Sequence, residues 1–239
     1  MPVRAVVRAF SELCVTVGTV IVLFVVYLLY WTGIRAEAAV DSGINRLAEQ
    51  WAAEPVEAGA QEPESESEQE AEQEAEPYRD GRPFAVMYIP RFGAGWAKPV
   101  LENTEASTLK KGLGRYPGSD RLGAKGNFAV AGHRRTHGDP FKDFPRLRPG
   151  DAVVVQDGTT WYTYRIERRP YRTLPTDTGV VAALPRPLNQ DAAPFTEPGR
   201  YLTLTTCEPE WGSSHRLIAW ARLDATQPVT EGKPAALRD

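Results

Sequence analysis

A run of 19 apolar residues, LCVTVGTVIVLFVVYLLYW, occupies positions 13–31 and contains no charged side chain. As a helix rising 1.5 Å per residue it covers about 30 Å, the thickness of the hydrocarbon core of a bilayer. The run therefore predicts a transmembrane anchor at 13–31, preceded by a short segment at 1–12. The rest of the chain must then fold on one side of a membrane.

The orientation of this anchor follows from its flanking charges. Arg4 and Arg8 precede the run, and the positive-inside tendency places residues 1–12 in the cytoplasm and everything after Trp31 outside the cell. A cleaved signal peptide is the alternative, because residues 36–38 (Ala-Glu-Ala) resemble a cleavage site. The apolar run is longer than the usual core of about 7–15 residues, so an uncleaved anchor is the preferred interpretation.

Two segments separate the anchor from the rest of the chain. Apolar residues recur at helical spacing at Val40, Ile44, Leu47 and Trp51. They predict a juxtamembrane helix at 32–53 whose apolar face rests on lipid. Residues 54–77 hold ten glutamates and no basic residue, and this charge predicts a disordered acidic linker. We expect the linker to hold the next domain off the membrane.

The remaining residues form a basic segment. The full chain has a net charge of −3, the acidic linker contributes −10 and residues 1–53 are balanced, which leaves +7 for residues 78–239. A basic exported domain suits anionic wall polymers or lipid head groups. The segment has no nucleic-acid motif, so we expect no nucleic acid among its partners.

Short apolar runs separated by Gly and Pro clusters predict a single all-β domain at residues 78–225. The runs are FAVMYI (84–89), NFAVAG (127–132), DAVVVQDG (151–158), TWYTYRIERR (160–169), YLTLTTC (201–207) and RLIAWARL (216–223). The turn at Gly158 predicts a hairpin between the third and fourth runs. About 150 residues of closely spaced strands suit one barrel or sandwich, and residues 226–239 are expected to form a C-terminal tail.

Cys207 is an unpaired thiol outside the membrane. The other cysteine, Cys14, lies inside the apolar run and cannot reach it. A leftover cysteine in an exported protein indicates an intermolecular bridge or a reactive thiol. A buried, inert side chain is the third interpretation.

Strand alternation gives Cys207 a cationic neighbour. A hairpin that pairs Leu204 with Ala219 also places Cys207 opposite Arg216. A positive charge within about 4–6 Å favours the thiolate and stabilises an oxyanion formed when sulfur attacks a carbonyl. The pattern therefore predicts that Arg216 serves the chemistry of Cys207.

Three histidines compete for the role of base. His133 follows the strand GNFAVA, where barrels often present site residues. His137 lies in the same loop, and His215 is turned away from Cys207 by strand alternation. These spacings favour His133 and leave the other two open. A metal site from His133, His137 and Cys207 is not expected, because GHRRTHGDP is not a regular helix. No cofactor is expected either.

Several ordered motifs resemble those of sortases. TLTTC (203–207) resembles the TLxTC signature of that family, AGHR (131–134) resembles its histidine segment, and Arg216 falls at the family's arginine. YIPRFG (88–93), LKKGLGRYPGS (109–119) and FPRLRPGD (144–151) follow in the family's order. The Pro209 after Cys207, together with RLIAWARL, is similar to the membrane-anchored class E.

The resemblance implies an eight-stranded β-barrel with short helices. It also implies that Cys207 is the nucleophile, His133 the general acid or base and Arg216 the group that binds the transition state. Tyr116 is a weaker candidate for lining the substrate groove, as are Thr205 and Thr206.

The implied activity is that of a membrane-anchored extracellular cysteine transpeptidase. It cuts an LPxTG-like sorting signal, LAxTG in class E, between Thr and Gly through a thioacyl-enzyme. The acceptor is the amine of a peptidoglycan precursor such as lipid II. The implied partners are surface proteins that carry the signal, this precursor and the cell membrane.

Two acids depart from the family's pattern. Glu208 and Glu210 flank Pro209, and unpaired they would disfavour the thiolate of Cys207. Arg134 and Arg135 are available to offset them. A non-enzymatic alternative is a membrane-tethered β-domain that binds wall polymer or a partner protein through a surface on which Cys207 is only structural.

Overall fold

The computed structural model of this chain describes residues 2–53 and 77–238. It begins with one helix, α1 (Pro2–Ala53), and continues with strands and one short α-helix. These are β1 (Pro83–Tyr88), β2 (Ala97–Glu102), α2 (Ala106–Leu109), β3 (Leu113–Arg115), β4 (Gly126–Ala131), β5 (Ala152–Gln156), β6 (Thr160–Ile166), β7 (Tyr171–Thr173), β8 (Arg200–Glu208) and β9 (His215–Pro228). The acidic linker predicted at 54–77 lies, except for Pro77, outside the described residues.

Eight strands close into a barrel. Their order is β6-β5-β1-β2-β3-β4-β8-β9, and β9 pairs with β6 to complete the ring. β7 adds to β9 outside this ring. The closure removes the free sheet edges of an open arrangement. The predicted eight-stranded barrel is confirmed.

Residues on alternate sides of the strands form two apolar clusters. The barrel interior is filled by side chains such as Phe128, Val155 and Leu204, all at most 1% exposed. A second cluster outside the ring includes Ile218 and Trp220. The first part of β9, at Leu217–Ala221, is therefore buried on both faces, which explains why its sequence is apolar at consecutive positions there.

The predicted β5–β6 hairpin is present and antiparallel, with Val153 opposite Tyr164. β9 runs three residues past the predicted boundary at 225, because Thr160 pairs with Pro228. The following residues make short 3₁₀ turns at Val229–Glu231 and Ala235–Leu237, and Pro234 is buried. The predicted tail at 226–239 thus begins as part of the barrel wall.

The helix α1 is continuous where the sequence indicated two segments, at 13–31 and 32–53. By length and composition, Val3–Tyr27 is apolar enough to span a membrane, with a mean hydropathy of 2.3. The later apolar face does not rest on lipid, which corrects the sequence-based interpretation. Leu47 is 1% exposed, and α1 packs on β1 and β2. The pattern specified an apolar face but not what covers it.

The end of α1 lies close to Pro77 and Tyr78. Leu47 and Trp51 line a cavity of about 420 Å³ together with Pro77 and Tyr78. The residues that precede and follow the linker therefore meet at one place on the barrel. α1 itself contacts the barrel through β1 and β2, and the expectation that the linker holds the barrel off the membrane stays a prediction.

Candidate active site

Cys207 lies near the end of β8, directly opposite Arg216 of β9. The pairing has Leu204 opposite Ala219 and Cys207 opposite Arg216, so the predicted register is confirmed. Directly opposed residues on antiparallel strands have Cβ atoms about 4.5–5.5 Å apart. The thiol is free and half-buried. A fixed positive charge and a nucleophile therefore share one face of the sheet.

Backbone carbonyls hold the guanidinium of Arg216. Its Nη1 donates to the carbonyl oxygens of Ser213, at 2.9 Å, and of His215, at 3.0 Å. Ser213 lies in the turn that joins β8 and β9, and His215 is the first residue of β9. These two bonds, both made by Nη1, orient the guanidinium. Since Arg carries five N–H donors in a rigid fork, other N–H groups of Arg216 are left to donate to an oxyanion.

His133 comes level with Cys207 through the pairing of β4 with β8. The two strands are parallel, with Ala131 opposite Thr205, and His133 and Cys207 each lie two residues further on. The amide of Gly132 donates to the carbonyl of Thr205 at 3.1 Å, which extends the pairing past the end of β4. The strand register therefore brings together the predicted nucleophile and the favoured histidine.

The surroundings of His133 keep its imidazole neutral. Burial lowers the pKa of His133, and the nearby His137 and Lys110 lower it further. The rings of His133 and His137 stack with centroids 4.8 Å apart and planes at 27°. The Nε2 atom of His133 is buried without a hydrogen-bond partner. A neutral ring with a free nitrogen can accept the proton of a thiol.

His215 is turned away from the thiol. Its Nδ1 lies 3.0 Å from Nη2 of Arg172 on the outer strand β7 and 3.0 Å from Oγ of Ser214. On β8 its opposite residue is Glu208 rather than Cys207. The expectation from alternation is confirmed, and His215 is not placed to activate Cys207.

Two ion pairs join the loop after His133 to the segment after Cys207. Arg134 Nη1 lies 2.7 Å from Glu208 Oε2, and Arg135 Nε lies 2.6 Å from Glu210 Oε1. Arg134 also donates to the carbonyl of Cys207 at 3.4 Å. We call these two pairs the double clamp. They offset both acids, as the sequence indicated, and they tie the two site segments together.

A small groove reaches Arg216, the residue opposite Cys207. Its cavity of about 80 Å³ is lined by Tyr116, Thr205 and Arg216 together with apolar side chains including Leu174 and Ile218. The hydroxyls of Tyr116 and Thr205 are 2.8 Å apart. These two predicted substrate-binding residues therefore meet in one wall.

Thr206, the third weak candidate, faces elsewhere. It is 3% exposed, and its hydroxyl donates to the carbonyl of Gly132 at 2.8 Å. This bond joins β8 to the segment that carries His133. The geometry favours a positioning role for Thr206 over direct contact with a substrate.

The sequence did not predict the outer wall of the groove, which is formed by the connection after β7. Asp177 fixes this connection and is only 4% exposed. It accepts a hydrogen bond from Thr173 Oγ1 at 2.6 Å and another from the amide of Leu188 at 3.0 Å. Nothing local marks Asp177, because its partners lie 4 and 11 residues away.

Among residues 2–53 and 77–238, no group of three or more His, Cys, Asp or Glu is placed to hold a metal ion.

Comparison with known proteins identifies the family. The family model for the sortase domain matches residues 87–224. Sortase SrtE1 of Streptomyces coelicolor is 33% identical over 237 residues, which cover 96% of this chain, and the chain spans 60% of that relative's length. Sortase SrtE2 of the same organism is 29% identical over 93% of this chain and 84% of its own length.

Solved structures agree in fold. Sortase E from Streptomyces avermitilis is 63% identical with a TM-score of 0.62, and the match covers 67% of this chain and all of that one. Sortase E1 from Streptomyces coelicolor, solved with a tripeptide in its active site, is 32% identical with a TM-score of 0.61 over 67% of this chain and 99% of that one. The relatives named sortase E fit the predicted class. With its barrel, its matched domain and these relatives, the chain belongs to the sortase family of cysteine transpeptidases.

Proposed function

We propose that this chain is a membrane-anchored transpeptidase that cuts a sorting signal of the LPxTG or LAxTG type between Thr and Gly and joins the new carboxyl end to an amine. The observation that carries the proposal is the pairing of Cys207 with Arg216, with His133 two residues past the end of the neighbouring strand β4. The relative solved with a tripeptide in its active site supports a peptide substrate.

In the first step, the sulfur of Cys207 attacks the Thr carbonyl carbon and its proton passes to the neutral His133. Arg216 donates to the oxygen that becomes negative in the tetrahedral intermediate, and charge stabilisation of this kind is the largest effect in many acyl transfers. The C–N bond then breaks, and His133 returns the proton to the leaving Gly amine. The product is a thioester on Cys207.

In the second step, an acceptor amine attacks the thioester. His133 takes a proton from this amine and Cys207 leaves as thiolate, which recovers the proton. Splitting one hard acyl transfer into two easier ones is the general advantage of covalent catalysis. The amine of a peptidoglycan precursor such as lipid II is the acceptor that we propose, with the active site outside the cell.

The groove beside Cys207 supports a small residue in the signal. Its volume of about 80 Å³ is that of a few heavy atoms, and the hydrogen-bonded Tyr116 and Thr205 form its wall. A compact side chain such as Ala fits this space better than a bulky one.

The test uses the full chain in lipid nanodiscs, a fluorescent LAxTG peptide and an amine acceptor. We expect wild type to form the amide product and to show a thioacyl mass increase on Cys207. Cys207→Ala and His133→Ala should lose product, whereas His215→Ala should keep most of it. Equal product from wild type and Cys207→Ala would overturn the proposal, and no product above background from either would favour the non-enzymatic binding domain.

A further inference from the structure

The strand pairings define one end of the barrel as the catalytic end, where Cys207 and His133 lie. The parallel strands β4 and β8 both finish there. β3 is antiparallel to β4, and β2 is parallel to β3, so β2 begins at this end. Following the pairings the other way round the barrel, through β9, β6, β5 and β1, also places the start of β2 at this end. The opposite, far end carries the β5–β6 turn.

The second half of α1 runs along β2 from the catalytic end to the far end. Glu37 and Asp41 act electrostatically on Lys98, the second residue of β2. A Cβ added to Gly43 would lie 3.2 Å from the ring of Pro99. At the far end, the ring of Trp51 covers the β5–β6 turn so closely that a Cβ on Gly158 would lie 2.4 Å from it.

The apolar stretch Val3–Tyr27 therefore extends beyond the catalytic end and not beyond the far end. Between Tyr27 and Glu37 the helix α1 is continuous. The ten residue steps from Tyr27 to Glu37 rise about 15 Å along the helix axis. The register of β2 and the direction of α1 together turn the active site toward the apolar stretch.

The surface of the catalytic end suits a bilayer interface. Trp211, in the turn after Cys207, is 67% exposed, and Trp is enriched at membrane interfaces. The connection 132–150 at the same end holds five basic and two acidic residues. Of the basic ones, Lys142, Arg146 and Arg148 are exposed. Exposed basic side chains are attracted to anionic lipid head groups.

We propose that the docked half of α1 holds the catalytic end of the barrel against the lipid head groups of the membrane that α1 spans. The inference rests on the membrane anchor in the proposed function. An acceptor amine carried on a lipid then meets the thioester at the membrane surface, and Trp211 lies at the contact. The barrel is a fixed, inward-facing body instead of one held away on a linker.

The experiment compares two single-cysteine forms of the full chain in vesicles with anionic lipid. Ser213→Cys places a bimane label at the catalytic end and Thr159→Cys places one at the far end, each in a Cys14→Ala, Cys207→Ala background. Both positions are exposed. Nitroxide on the lipid head groups quenches bimane at short range, so it reports which end faces the bilayer.

We expect quenching at position 213 to be several-fold stronger than at 159. Adding Leu47→Asp, which places a charge in the buried helix contact, should abolish this difference. Equal quenching at both ends, or stronger quenching at 159, would overturn the orientation while leaving transpeptidation by the wild-type vesicles as separate evidence for the function. Vesicle flotation of the same samples checks the anchor, and its failure would overturn anchor and orientation together.

Discussion

At the scale of single residues, the site depends on one neutral base beside one thiol. Burial, His137 and Lys110 all lower the pKa of His133, so at neutral pH the ring accepts a proton before it donates one. Arg216 supplies the fixed positive charge that the ring does not carry in this state. In the proposed function the two residues therefore have separate roles: His133 moves the proton and Arg216 stabilises the oxyanion.

The stacked His137 offers a test of this division. His137→Ala removes a side chain that disfavours the protonated form of His133 and exposes His133 to water, and both changes raise the pKa of His133 toward its ordinary value of about 6.5. The acid limb of the kcat/KM profile should move to higher pH, with activity near pH 6 reduced severalfold and activity at pH 8 little changed. NMR titration of the His133 ring measures the pKa directly.

His215→Ala is the matched control for this change, because His215 contacts Arg172 and Ser214 on the other side of β9. It should leave the acid limb in place.

The lowered pKa of His133 also affects stability, because a histidine with a lowered pKa loses its stabilising contribution as pH falls below about 6.5. His137→Ala should weaken that loss. An unchanged limb in His137→Ala would contradict the assigned electrostatics.

At the scale of elements, two segments that are 74 residues apart in sequence must keep the base level with the thiol. The parallel β4–β8 pairing sets the positions of His133 and Cys207 along the strand direction, and the double clamp fixes the loops beyond the strand ends. The two pairs differ in exposure. The Arg134–Glu208 side chains are 8% and 24% exposed, and those of Arg135–Glu210 are 29% and 44% exposed.

Breaking the buried pair should therefore cost more than breaking the exposed pair. Arg134→Met leaves Glu208 unpaired beside the thiol, and we expect a loss somewhat below the ~3–5 kcal/mol typical of a fully buried pair. Arg135→Met should cost about 1 kcal/mol or less. Denaturant unfolding measures both losses.

A chemical measurement separates positioning from stability alone. The free carboxylate in Arg134→Met should slow alkylation of Cys207 by iodoacetamide and lower kcat. Adding Glu208→Gln, which removes the charge and nearly keeps the shape, should restore part of both. If Arg134→Met unfolds no more easily and reacts as fast as wild type, the double clamp has no such role.

Some elements of the fold could be predicted from the sequence and others could not, for physical reasons. In β8, Leu202 and Leu204 alternate with Thr203 and Thr205, so the face that carries Cys207 and its register against Arg216 could be predicted. β3 and β7 have only three residues each, and β2 contains Pro99, so neither periodicity nor propensity marked them. Asp177 escaped because its role exists only through contacts made in the fold.

At the scale of the whole molecule, the two halves of α1 have different surroundings. Its first half, Val3–Tyr27, suits a membrane, and its second half covers the barrel wall opposite β8 and β9. Helical periodicity indicated that Val40 and Leu47 share a face, but an apolar face can be covered equally by lipid or by protein. Only the tertiary contacts decide, with Val40 8% and Leu47 1% exposed.

This arrangement predicts that the helix can separate from the barrel without unfolding it. Burial of a Leu side chain contributes roughly 1.5–3 kcal/mol, so Leu47→Ala should weaken the contact of α1 with β1 and β2. Since the barrel closes on itself, the loss should be local. Hydrogen exchange of the full chain in nanodiscs should speed up several-fold at residues 38–53 and remain unchanged in β8 and β9.

Leu204→Ala provides the contrast. Leu204 is fully buried in the barrel interior, and its truncation should cost about 2–5 kcal/mol. Exchange should then speed up throughout the barrel, because opening any core strand requires global unfolding. If Leu47→Ala also accelerates exchange in β8 and β9, helix and barrel unfold as one cooperative unit. The docked helix would then stabilise the active site itself as well as turning it toward the membrane.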